Sequence, residues 1–208
     1  MKRIFIYLLL LSSFNASAQD STQPFDGHKW EAPYHLPLPE KWTFERFLVP
    51  ISFAPEIAYK GVEDIRFAPG WANKESEQYW SYTFLWWLDG KPEFNASIVA
   101  ANLKAYYKGL MKVNIDTKKY NIPAEQLIAT TTFQKTITAN GDLETYTGTV
   151  HMLDYMQRKP ITLNCLVHFK ACTIEKKTVV FHELSPQPFT NKIWDEFKVL
   201  WEGFKCKK

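Results

Sequence analysis

The sequence predicts an α+β domain built on a largely antiparallel sheet of about six strands, with helices packed on the sheet. Three observations carry that expectation. The stretch Gln78–Leu88, QYWSYTFLWWL, is dense in aromatic residues that favour a pleated strand. A long pattern of helical period follows it, and four apolar segments separated by turn residues then run from 127 to 184.

In chain order, Lys2 and Arg3, the apolar run Ile4–Leu11 and Ala16-Ser17-Ala18 form the pattern of an export signal over residues 1–18. The protein is therefore expected to be exported, to a periplasm or to the extracellular space. Of 25 basic residues, loss of these two leaves 23 against 22 acidic ones, so the charge falls from +3 to +1. A near-neutral chain has no broad phosphate footprint, which argues against nucleic acid as a partner. After residue 18, no apolar run reaches the roughly 18 residues that a membrane span needs.

Residues 19–60 carry Pro24, Pro33, Pro37, Pro39, Pro50 and Pro55. They are expected to form an extended arm and a covering segment, with one helical turn at Thr43–Leu48. The single domain then spans 61–208. It begins with a strand at Gly61–Phe67, where Val62, Asp64 and Arg66 share a face. Ala68-Pro69-Gly70-Trp71 has the residue order of a type II turn and leads through a long loop into the aromatic strand. Asn95 stands in N-cap position before a helix over Ala96–Lys112, where Val99, Leu103, Tyr106 and Leu110 fall on one face.

The four strands that follow are expected at Leu127–Thr138, Leu143–Tyr155, Ile161–Ile174 and Thr178–Leu184. Asn140-Gly141 marks the first hairpin, because both residues tolerate positive φ. A last helix, beginning near Asn191, presents Ile193, Trp194, Phe197, Leu200, Trp201 and Phe204 as a wide apolar face. This order of elements resembles several antiparallel-sheet scaffolds, among them the PsbP-like group, at the level of fold alone.

The three cysteines permit at most one internal bridge. Cys165 and Cys172 lie seven residues apart in one expected strand, about 23 Å along it, and cannot reach each other. Any disulfide thus joins Cys206 to Cys165 or to Cys172.

Two functional readings follow. Aromatic residues make up 16% of the chain, with 8 Trp, and no nucleophile elbow, zinc-protease helix or phosphate-binding loop is present. This favours a non-catalytic binding domain for a small ligand, a glycan or an envelope protein. Its expected ligand-facing residues are Trp71 on the loop and Tyr79, Ser81, Thr83 and Trp87 on the less apolar side of the strand. The alternative is a secreted hydrolase using His151, His168 and His182 on consecutive strands, where His182 neighbours His168 if position 168 lies opposite about 184 and His151 joins that face if Tyr146, Val150 and Met152 point to the core. Three imidazoles so placed hold zinc or copper with a position left for water. A third expectation is a structural envelope component.

Overall fold

The computed structural model describes residues 24–207; the expected export signal lies outside them. The short strand β1 (Tyr34–His35) precedes β2 (Thr43–Val49), β3 (Gly61–Phe67) and β4 (Tyr82–Asp89), and α1 (Ala96–Asn114) follows. Then come α2 (Thr117–Tyr120), β5 (Thr130–Lys135), β6 (Glu144–Leu153), β7 (Pro160–Cys172), β8 (Lys177–Ser185), α3 (Ile193–Glu202) and β9 (Lys205–Cys206). Seven strands form one antiparallel sheet in the order β2-β3-β4-β8-β7-β6-β5. The α+β class is as expected, with one more strand in the main sheet than the sequence indicates and a separate two-stranded sheet of β1 and β9.

The added strand is β2. Thr43–Val49, expected as a helical turn, pairs over its whole length with β3. Its alternation of half-buried and exposed residues is that of an edge strand packed on one side. Local helix signals lose here to a seven-residue ladder. The type II turn is also corrected: the Trp71 amide bonds the Ala68 carbonyl at 3.0 Å, but Gly70 is not among the residues at positive φ.

The aromatic strand occupies the middle of the sheet, between β3 and β8. It begins at Tyr82, not Gln78, because the chain turns through Ser76–Ser81, with Trp80 at φ 55°. Tyr82, Phe84, Trp86 and Leu88 face α1 and pack with Leu103, Tyr106, Tyr107 and Met111. Phe84 lies parallel to the Tyr106 ring at 5.1 Å. Leu85 and Trp87 face the other way, into a second core made by Tyr34, Trp42 and the α3 residues Trp194, Phe197, Leu200 and Trp201. Both faces of β4 are thus covered, and burying each ring fully contributes about 2 to 3 kcal/mol.

The N-terminal arm is fixed to this second face. Tyr34 donates to Asp64 at 2.9 Å and Arg46 reaches the same carboxylate at 3.0 Å, with Arg66 as a further partner. Asp64 is fully buried, so its three donors offset a desolvation cost that one alone would leave large. At the other end, β1 pairs with β9, and Cys172 in β7 is bridged to Cys206 in β9 with a Cα–Cα distance of 5.7 Å. Cys165 is free and buried. Among the described residues, no helix is long and apolar enough to cross a membrane.

Candidate functional site

The strongest concentration of chemistry lies where α3 crosses β6, β7 and β8. Odd residues of β7 (Cys165, Val167, Phe169) point into the α1 core, which leaves Leu166, His168 and Lys170 on the α3 face. In β8 the alternation places Val179, Phe181 and Glu183 on that same face. The ladder pairs His168 with Phe181 and Leu166 with Glu183, so His168 and Glu183 are diagonal neighbours.

The third group comes from the turn before β6. The Leu143 amide bonds the Phe169 carbonyl at 2.7 Å, which holds Asp142 against β7. Asp142 Oδ2 accepts from His168 Nδ1 at 2.7 Å and from Thr145 Oγ1 at 2.8 Å, while Oδ1 accepts from Trp201 Nε1 at 2.8 Å. The side chain is fully buried and fixes both the imidazole and the last helix.

The opposite edge of the imidazole is free. His168 Nε2 is buried without a hydrogen-bond partner, 3.6 Å from Glu183 Oε1, which is beyond bonding length. Burial pushes the imidazolium down, but the Asp142 and Glu183 carboxylates outweigh it and hold the pKa at about 9. Burial raises the Glu183 carboxyl above the ordinary carboxylate range, against the His168 contact, which lowers it.

This pair opens into a cavity of about 640 Å³. Leu166, Phe189, Trp194 and Trp201 supply its apolar lining, Thr136, Ala139, Asn140 and Thr147 come from the β5–β6 side, and Asp195, Lys198 and Glu202 come from α3. The volume is in the range that small-molecule sites occupy. Polar side chains set beside these apolar rings are what fix a ligand's orientation.

The expected ligand-facing residues are divided between two faces. Trp71 stacks on Phe67 at 4.4 Å and lines a separate, smaller cavity of about 270 Å³ on the α1 side, with Trp80, Tyr106 and Tyr155. Tyr79 is half-buried and its hydroxyl is committed to Asp154. Ser81, Thr83 and Trp87 face the other way and are buried: Ser81 Oγ lies 2.7 Å from Ser185 Oγ, and Trp87 packs against Tyr34 at 4.9 Å. The side of β4 expected to stay open is closed by α3 and the arm. Thr83 is the cross-strand partner of Glu183, and its hydroxyl is buried without a partner.

The three histidines do not form a ligand set. His168 lies opposite Phe181, not 184, because the turn comprises Thr173–Lys176 and is centred earlier than the charged residues suggest. That offset is an odd number of residues, so it sends His182 to the other face of the sheet. There His182 stacks on Phe84 at 4.1 Å, bonds the Phe84 carbonyl at 3.3 Å, and is pushed by burial down to about 3. His151 shares the face of His168 but sits opposite Thr162, six ladder positions away along β6, where it bonds the Thr162 hydroxyl at 2.9 Å. Among the described residues, Cys172, Glu175 and Cys206 alone have ligand atoms close enough for one ion, and their two sulfurs are joined in the disulfide.

Asp142, Glu183 and Trp201 are the functional candidates that sequence patterns pass over. Asp142 reads as an ordinary turn residue after Asn-Gly. Glu183 leaves one visible signal, an acid inside the apolar run Val179–Leu184. Compared with protein-family models, with curated proteins and with solved structures, the chain matches none.

Proposed function

We propose that this is an exported, non-catalytic binding domain that takes a small ligand into the cavity between α3 and the sheet. The observation that carries this reading is His168 Nε2, a buried polar atom without a partner at the floor of a hollow of about 640 Å³. A native fold rarely leaves such an atom unsatisfied, and a ligand is the partner that the cavity leaves room for. Export is supported by the signal pattern at residues 1–18 and by the Cys172–Cys206 bridge, which suits an oxidising compartment. A hydrolase using His168 is the weaker reading, because two carboxylates keep its imidazole protonated at neutral pH, the wrong state for a general base.

The test is a fragment screen by thermal shift, followed by two-dimensional NMR of the indole N–H groups. Ligands of this site raise the melting temperature and move the Trp194 and Trp201 resonances, and both effects vanish in Thr147→Trp, which fills the cavity from the sheet. If no fragment moves either indole, or if hits survive in Thr147→Trp, the assignment of the site fails.

A further inference from the structure

The floor of the cavity also says what kind of group the ligand presents. His168 Nδ1 is committed to Asp142, so only Nε2 faces Glu183, at 3.6 Å. His168 is 6% exposed and Glu183 2%, and His168 Nε2 is buried without a hydrogen-bond partner. The contact between the two is longer than a hydrogen bond, and both side chains line the cavity.

Against burial, the Asp142 and Glu183 carboxylates favour a proton on the imidazole, at a pKa of about 9. With the proton on His168, the imidazolium donates and Glu183 accepts; with it on Glu183, the carboxylic acid donates and Nε2 accepts. Either way the floor offers one donor and one acceptor side by side. An ammonium group matches only the acceptor and a carboxylate only the donor, and each leaves the other buried polar atom unpaired, at a cost of about 1 to 3 kcal/mol.

We infer that the ligand is an uncharged amide or lactam, whose carbonyl and N–H engage His168 and Glu183 together while its apolar body lies against Leu166, Phe189, Trp194 and Trp201. In an amide of cis geometry the oxygen and nitrogen are about 2.2 Å apart, from bond lengths of about 1.23 and 1.33 Å. Two hydrogen bonds diverging slightly from that edge reach groups 3.6 Å apart. A planar bicyclic lactam also suits the aromatic lining. This inference rests on the reading of the cavity as the ligand site.

The experiment compares 1-isoquinolinone, its N-methyl derivative and isoquinoline by calorimetric titration of the full chain at pH 7, with the Trp194 and Trp201 indole resonances as a site-specific readout. The lactam is expected to bind at least tenfold more tightly than either analogue, and to lose that advantage in His168→Phe and in Glu183→Leu. Should either variant fail to fold, the comparison of three ligands on the unaltered protein decides alone. Equal or tighter binding of an analogue at these indoles overturns the lactam class and leaves the cavity as the site. Absence of lactam binding, while other fragments still move the two indoles, also overturns the class. If no compound moves them, the site assignment falls with it.

Discussion

Trp201 and Asp142 are joined by a hydrogen bond of 2.8 Å from the indole Nε1 to Oδ1, which ties the last helix to the turn before β6 across 59 residues of sequence. Because the other oxygen of Asp142 holds His168, one carboxylate sets the position of both the wall and the floor of the cavity. Asp142→Asn keeps the shape but removes the charge that favours the imidazolium. It is expected to lower stability by about 3 to 5 kcal/mol at pH 7, read by urea unfolding. It should also lower the His168 pKa, read by NMR titration. An unchanged His168 titration would show that Asp142 is not what holds its proton.

The same proton makes stability depend on pH. His168 binds it more tightly in the folded chain, up to about 9 against an ordinary 6.5. Its contribution is complete below about pH 6.5 and is lost as pH rises through 9. Urea midpoints should therefore fall between pH 7 and 9.5 in the unaltered protein, and His168→Gln should flatten that decline.

Glu63 governs a lower window on the α1 side. It is fully buried, accepts from Trp86 Nε1 at 2.6 Å and Tyr106 at 3.0 Å, and is pushed by burial up to about 7. Raised above its unfolded value of 4.5, it stabilises fully below that pH and loses its contribution as pH rises through 7, a change on the order of 3 kcal/mol. His182 works in the opposite sense: depressed to about 3, it favours folding above 6.5 and loses that contribution as pH falls. The difference between unaltered protein and Glu63→Gln isolates the first effect. The advantage of the unaltered chain should shrink steadily from pH 4.5 to 7.5, and a difference independent of pH would contradict the burial of a titrating carboxyl.

Gly109 sets helix propensity against packing. In a helix interior, alanine is preferred over glycine by about 1 kcal/mol. A Cβ at Gly109, however, would stand 1.9 Å from the carbonyl oxygen of Phe53, a backbone atom that cannot swing aside. The clash outweighs the propensity. Gly109→Ala is expected to destabilise the protein by about 2 kcal/mol, within the 1 to 3 kcal/mol typical of overpacking, and a stabilised variant in urea would show that α1 is not pressed against this loop.

Thiol counting checks the bridge. The native protein should show no thiol reactive to Ellman's reagent, since Cys165 is buried and burial pushes its thiol well up. One thiol should appear on unfolding and three after reduction. For a separation of 34 residues, reduction is expected to cost about 3 to 4 kcal/mol on chain-entropy grounds.

How far the fold was legible follows from which signals are local. Asn95 caps α1 as expected, its side chain accepting from the Ile98 amide at 2.9 Å, because an N-cap depends on residues three apart. The wide apolar face of α3 likewise announced a docked helix. The register of β7 on β8 was not legible: charged residues around Glu175 mark a turn without fixing its centre, and an odd offset separates His168 from His182. The site shared that limit. Asp142, His168, Glu183 and Trp201 meet only through ladders and a crossing helix, and no spacing in the chain encodes that meeting. Trp71 and Trp87, adjacent in motif logic, are parted by the pleat of the sheet.

Pulled by the two ends of its described chain, the oxidised protein would carry load in an unusual way. Force entering near Tyr34 meets the two-residue ladder to Cys206, and force entering near Cys206 passes through sulfur directly into β7. The loop that carries α3 and the cavity wall is short-circuited by that covalent link. It stays outside the line of tension and adds no length when the rest of the sheet gives way, so β8 and α3 remain mechanically idle while the β5–β7 side of the pocket bears the load.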